Sequence, residues 1–249
     1  YDTIKADTDY IFVERLTDIS GTKSLIDAAD DAVAADKKLF GLYGGDGGNN
    51  ESPLALHNPG NPIVDKGSAE NPWMKDMVTA SLKVLMDNNT AGFFVMFEQG
   101  DIDWANHGRS YSRMVGCVYD LDEAVKAAID YVNQDGDDMD WSNTVLIVTS
   151  DHSNDYMRVN TLLGKGELPL QEYTEIGYYG PEYDTTSYPG GEVTYGAGEH
   201  TNEPVKIYIK GANASKMADF EGAINTGTTL IDNTHIYDYI KLVTGLTTK

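Results

Sequence analysis

Residues 97–107 read FEQGDIDWANH, which places Glu98, Asp103 and His107 directly after the apolar run GFFVMF. Acidic groups concentrated where a buried strand ends need a cation or a complete hydrogen-bond network, because burying them without partners is costly. Asp103 and His107 are spaced i, i+4, which on a helical turn sets a carboxylate and an imidazole side by side. Asp151 and His152 follow the run VLIVT, and His200 precedes another apolar run near Val205. Sites in open α/β sheets form at the carboxyl ends of strands. Asp103, His107 and His200 make three nitrogen and oxygen ligands with a fourth position open, the composition of a catalytic zinc site. Asp151 and His152 offer two ligands toward a second ion, and Glu98 is a hard oxygen ligand suited to magnesium.

The elements that must position these groups alternate. Tyr10–Val13 reads as a strand, the segment from Ser24 as a helix, and Leu39–Tyr43 as a second strand. Trp73–Asn88 and Val115–Val132 carry apolar residues at helical spacing, and Gly92–Phe97, Thr144–Thr149 and Val205–Ile209 read as further strands. A helix from Thr234 to Thr244 closes the series. This order predicts an α/β fold, a mostly parallel sheet sandwiched between helices. The glycines over 43–48 lack the spacing of a phosphate-binding loop and read as a turn. Residues 155–199, dense in Tyr, Gly and Pro, read as an irregular excursion.

The 249 residues, 41% of them hydrophobic, suit one domain over 1–249. A net charge of −22 argues against a nucleic-acid partner, and no apolar stretch is long enough for a membrane span. Cys117, the one cysteine, excludes an intrachain disulfide and reads as a small core residue. His57, in a Pro/Gly loop, and His235, at the start of the last helix, read as capping or exposed groups.

The series Glu98-x4-Asp103-x3-His107, then VTSDH ending at His152, then GEHT with His200, resembles the metal-ligand series of alkaline phosphatases. The resemblance extends to the DLDEAV helix and the ending IYDYIKLVTGL, and Trp104 resembles a subset with Trp after the ligand aspartate. It implies an alkaline phosphatase-like fold, with residues 155–199 as the crown insertion. It also implies zinc on Asp103, His107 and His200, a second zinc site drawing on Asp151 and His152, and magnesium on Glu98. The implied activity is hydrolysis of small phosphomonoesters through a phosphoserine, in a secreted, periplasmic or cell-surface protein.

In that family the nucleophilic serine, an aspartate bridging zinc and magnesium, and a phosphate-clamping arginine come from an N-terminal half with no counterpart here. The chain is therefore expected to be a C-terminal part, incomplete at the N-terminal side of its fold. It should hold no nucleophile, an incomplete second zinc site and an incomplete magnesium site, and be inactive alone. An uncovered sheet edge would favour association with another chain, such as a homodimer. Three other expectations stand beside this one. The first is a phosphodiesterase, sulfatase or phosphoglycerate mutase of the same superfamily. The second places the nucleophile in this chain, at Ser150 or Thr149. The third is a binding module stabilised by a closed metal site.

Overall fold

The computed structural model describes residues 1–44, 52–87, 89–136, 138–175 and 185–245. The glycine turn over 45–48 and the middle of the Tyr-rich excursion, 176–184, lie outside these. A short helix α1 (Asp2–Lys5) precedes strand β1 (Tyr10–Glu14), helix α2 (Gly21–Ala34) and strand β2 (Lys38–Leu42). β1 and β2 run parallel, joined through α2, with Tyr10 opposite Lys38 and Glu14 opposite Leu42. Ser20 caps α2, its hydroxyl accepting from the Lys23 amide at 3.3 Å. An antiparallel hairpin, β3 (Leu54–Leu56) and β4 (Ile63–Asp65), leads to α3 (Met74–Met86).

α3 is apolar on two faces. Met74, Val78 and Leu82 pack on Ala124 and Val132 of α5 (Tyr111–Asn133), while Ala80 meets Leu25 and Ala29 of α2. Its N-terminus is closed from outside the helix, where the Asp120 carboxylate of α5 accepts from the Met74 amide at 3.1 Å. α5 also lies close under β3, because a side-chain carbon on Gly116 would sit 2.2 Å from the Pro53 carbonyl oxygen. Cys117 beside it is fully buried, and burial pushes its thiol pKa up to about 12, so it packs as an inert small side chain.

Residues 92–97 are extended with no ladder partner among the described residues. Phe93, Val95 and Phe97 still alternate inward onto the α3–α5 core, whereas Phe94 and Met96 are each 74% exposed. The period-2 pattern places the side chains, and the backbone of a strand is laid out without its neighbours. After this segment comes α4 (Asp101–His107), then α5 and β5 (Val145–Val148).

β5 pairs antiparallel with β12 (Tyr208–Gly211), Val148 facing Tyr208. Between them lie the short strands β6 (Ser153–Asn154), β7 (Arg158–Val159), β8 (Glu172–Glu175), β9 (Thr185–Ser187), β10 (Val193–Thr194) and β11 (His200–Thr201). β6 pairs with β11, β7 with β10, and β8 with β9, all antiparallel. The parallel part of the expected sheet is thus carried by β1–β2, and the other described ladders run antiparallel. The excursion over 155–199 returns the chain beside the strand it left, which favours antiparallel closure. A 3-10 turn at Ala214–Phe220 precedes α6 (Thr234–Thr244), whose Tyr239 is fully buried and donates to the Ala212 carbonyl at 3.3 Å.

Asp120 supplies a test of this packing. Burial raises its pKa from the ordinary 3.8, against the opposing hydrogen bonds from the Met74 amide and the Gln99 side chain. A carboxyl with a raised folded-state pKa binds more protons folded than unfolded, so its ionisation costs stability as pH rises through the raised value and costs nothing below the unfolded value. The stability of wild type relative to Asp120→Asn is therefore expected to fall between acid and neutral pH in urea titrations. A difference independent of pH contradicts this.

Candidate metal centre

Asp103 and His107 lie one turn apart on α4, and the i, i+4 spacing brings Asp103 Oδ2 to 3.4 Å from His107 Nε2. The other oxygen, Asp103 Oδ1, is 3.3 Å from His200 Nε2, delivered by β11 from 97 residues further along the chain. Among the described residues, Asp103, His107 and His200 form a group whose donor atoms all lie within 4.8 Å of one another. Metal–ligand bonds of about 2.0–2.1 Å in a tetrahedral site put neighbouring donors about 3.3 Å apart, so both measured spacings suit a zinc-sized ion.

Hydrogen bonds on the far side of the His107 and His152 rings fix which nitrogen faces inward. His107 Nδ1 is 3.3 Å from the Gly198 carbonyl, which only accepts, so Nδ1 carries the proton and the Nε2 lone pair faces Asp103. His152 repeats the pattern, with Nδ1 at 3.3 Å from the Ser153 carbonyl and Nε2 at 3.2 Å from Asp151 Oδ2. In each pair an acceptor faces an acceptor, an arrangement completed by a proton or a metal ion between them. His152 also stacks on His200 with ring centroids 3.5 Å apart. Asp151 is 83% exposed, and Glu98 is exposed at the end of the extended segment, so neither joins the converging trio.

Two residues that the sequence reading passed over hold this arrangement. Asn154 donates from Nδ2 to Asp103 Oδ1 at 2.6 Å, fixing the carboxylate shared by both histidines. Asp155, three residues after His152, is fully buried. The signal available in the sequence was polar density, Ser153-Asn154-Asp155, continuing past a strand that should have ended in solvent.

Other candidates are accounted for. Ser150 Oγ donates to the His152 carbonyl at 2.7 Å, and Thr149 Oγ1 donates to main-chain carbonyls at 3.2 and 3.3 Å. Both hydroxyl protons thus face peptide oxygens and not a base. His57 accepts from the Leu168 amide, and His235 accepts from the Asp232 amide while stacking on Phe220, so each serves its local fold.

Residues 34–175 match the family model described as alkaline phosphatase. The alkaline phosphatase of Escherichia fergusonii is 27% identical over 233 residues, covering 88% of this chain and 43% of that protein. Alkaline phosphatase 4 of Bacillus subtilis is 33% identical over 118 residues, covering 47% of this chain and 21% of that protein. The solved alkaline phosphatase of the Antarctic bacterium TAB5 superposes with a TM-score of 0.54 at 17% identity, over 96% of this chain and 53% of that one. A mutant of the TAB5 enzyme with Mg bound in its M3 site gives 0.57 at 16% identity, over 99% of this chain and 63% of that one. The chain thus spans less than half the length of the Escherichia fergusonii and Bacillus subtilis relatives and 53–63% of the TAB5 chains.

Proposed function

Since this chain belongs to the alkaline phosphatase family, we propose that Asp103, His107 and His200 hold a zinc ion that serves hydrolysis of small phosphomonoesters. The observation that carries the reading is the donor spacing of 3.3 and 3.4 Å around Asp103, with the Nε2 atoms of His107 and His200 both facing it. When bound, a divalent ion at this position supplies Lewis acidity toward phosphoryl oxygens. The protein's own part is to fix three donors, to hold the His107 imidazole in one tautomer, and to leave a coordination position open on the side where His200 is half exposed.

Asp151 and His152 contribute two donors to a second zinc position, and Glu98 one donor to a magnesium position, each completed by ligands outside this set. The hydroxyls of Thr149 and Ser150 donate to carbonyls, which supports a nucleophile supplied from elsewhere in the parent enzyme and an inactive chain on its own. The unpaired segment 92–97, with Phe94 and Met96 exposed, supports association with another chain along that edge. A location outside the cytoplasm belongs to the same proposal by family likeness.

The test is zinc binding and turnover of a chromogenic phosphate monoester by the purified chain, with His200→Ala as control. One zinc bound at Asp103, His107 and His200, lost in the variant, with no turnover above it, is the expected result. Absence of zinc binding overturns the metal reading, and turnover abolished by His200→Ala overturns the inactivity.

A further inference from the structure

We propose that Asp155 is a positioning residue for this metal centre, its buried carboxylate locking the loop that delivers His200 against the segment that follows His107. The proposal rests on the metal reading above and extends it to a residue that reaches no metal donor itself. Asp155 is 0% exposed, and its amide, its carbonyl and its Oδ1 are all tied to loop 196–199. Its Oδ1 accepts from the amides of Ala197 and Gly198, its carbonyl accepts from the Gly196 amide at 2.6 Å, and its own amide donates to the Glu199 carbonyl at 2.9 Å. Its Oδ2 accepts from Arg109 Nε at 3.1 Å, two residues beyond His107.

One carboxylate therefore joins three parts of the site: the end of α4, the turn after His152, and the approach to His200. Gly198 is the transmitting residue, because its N–H points at Asp155 while its carbonyl, in the next peptide group, accepts from His107 Nδ1 at 3.3 Å. Gly198 holds a φ of +77°, a conformation that side-chain-bearing residues rarely adopt, and this sets its two flanking peptide groups in their different directions. Asp155 and Tyr156 also sit at positive φ, 52° and 48°. Two consecutive residues in that region persist only where surrounding contacts over-determine them, and the five hydrogen bonds of Asp155 do so. Two residues past Gly198, His200 pairs with Asn154, so the same clamp sets the register of β11 on β6.

Two measurements on Asp155→Asn and Asp155→Ala test this, with Val132→Ala as a core variant that destabilises without touching the loop. The first is ¹⁵N NMR of the histidine side chains in metal-free protein. Wild type should show His107 protonated at Nδ1, and both Asp155 variants should shift it toward the Nε2–H tautomer, while Val132→Ala leaves it unchanged. The second is titration with cobalt(II) alone, read by its d–d absorption. Affinity should fall about 10–100-fold in Asp155→Ala, the range found for outer partners of metal ligands, and less in Asp155→Asn, whose amide oxygen can still accept from Ala197 and Gly198. An unchanged His107 tautomer in both Asp155 variants overturns the proposal, as does an equal effect from Val132→Ala. A tautomer shift in the Asp155 variants, together with a wild type that takes up no cobalt, supports the clamp while overturning the metal reading, so the two failures are separable.

Discussion

Replacing Asp103 with alanine is expected to reduce zinc affinity by about 100-fold or more. Outer partners of metal ligands cost about 10–100-fold when lost, and a group offering both of its oxygens to the site should stand at or beyond the top of that range. Asp103 is the shared partner: Oδ2 faces His107, Oδ1 faces His200, and the carboxylate is oriented by Asn154. Without it, the two imidazoles remain as neutral donors whose rings lie 5.1 Å apart, with no anion between them to balance a divalent charge. Asp103→Asn separates charge from shape, because the amide fills the same space as a weaker ligand, and it should lose somewhat less. Asn154→Ala should cost about 10-fold, because it frees the carboxylate without removing it. Competition against a chromophoric chelator measures all three. An Asp103→Ala chain that binds zinc as wild type does would show that the ion sits elsewhere.

Leu82→Ala is expected to lower the stability of the metal-free chain by about 2–5 kcal/mol. Leu82 is 5% exposed in the cluster that binds α3 to α5 and receives Phe93, Val95 and Phe97 from the extended segment. Since domains of this kind have only about 5–15 kcal/mol in total, the loss is a large share of what holds the segment leading into α4. The core and the site are separate in space but linked through folding. An ion that binds only the folded chain adds about 4 kcal/mol at a thousand times its dissociation constant, and should add the same to wild type and variant. Urea unfolding with zinc and with chelator therefore gives parallel shifts. A zinc effect that vanishes in Leu82→Ala would mean that this core is part of the site, and no zinc effect in either would mean that the folded chain has no site.

The long amphipathic patterns were legible because burial repeats every few residues: α3, α5 and α6 stand where the apolar spacing puts them, α6 over Thr234–Thr244. The run GFFVMF was legible in its side chains and not in its pairing, since period-2 alternation says which face is buried and nothing about which strand lies beside it. The antiparallel return of β12 onto β5 was hidden for the same reason. At the site, Asp103 and His107 are one helical turn apart, so their spacing carried their geometry, whereas His200 was joined to them by residue type and its place beside an apolar run, with no local spacing to fix its distance. Asn154, Asp155 and Gly198 were not singled out, because their roles are hydrogen bonds to residues about 40–90 positions away, which no local pattern records.

The most direct test is a crystal structure of the chain soaked in zinc, with anomalous diffraction recorded on both sides of the zinc edge. The expected result is a zinc-specific peak bonded to Asp103, His107 Nε2 and His200 Nε2, at about 2.0–2.2 Å from each. A well-ordered Asp103, His107 and His200 with no peak between them, or zinc bound only at other surface carboxylates, would contradict the account.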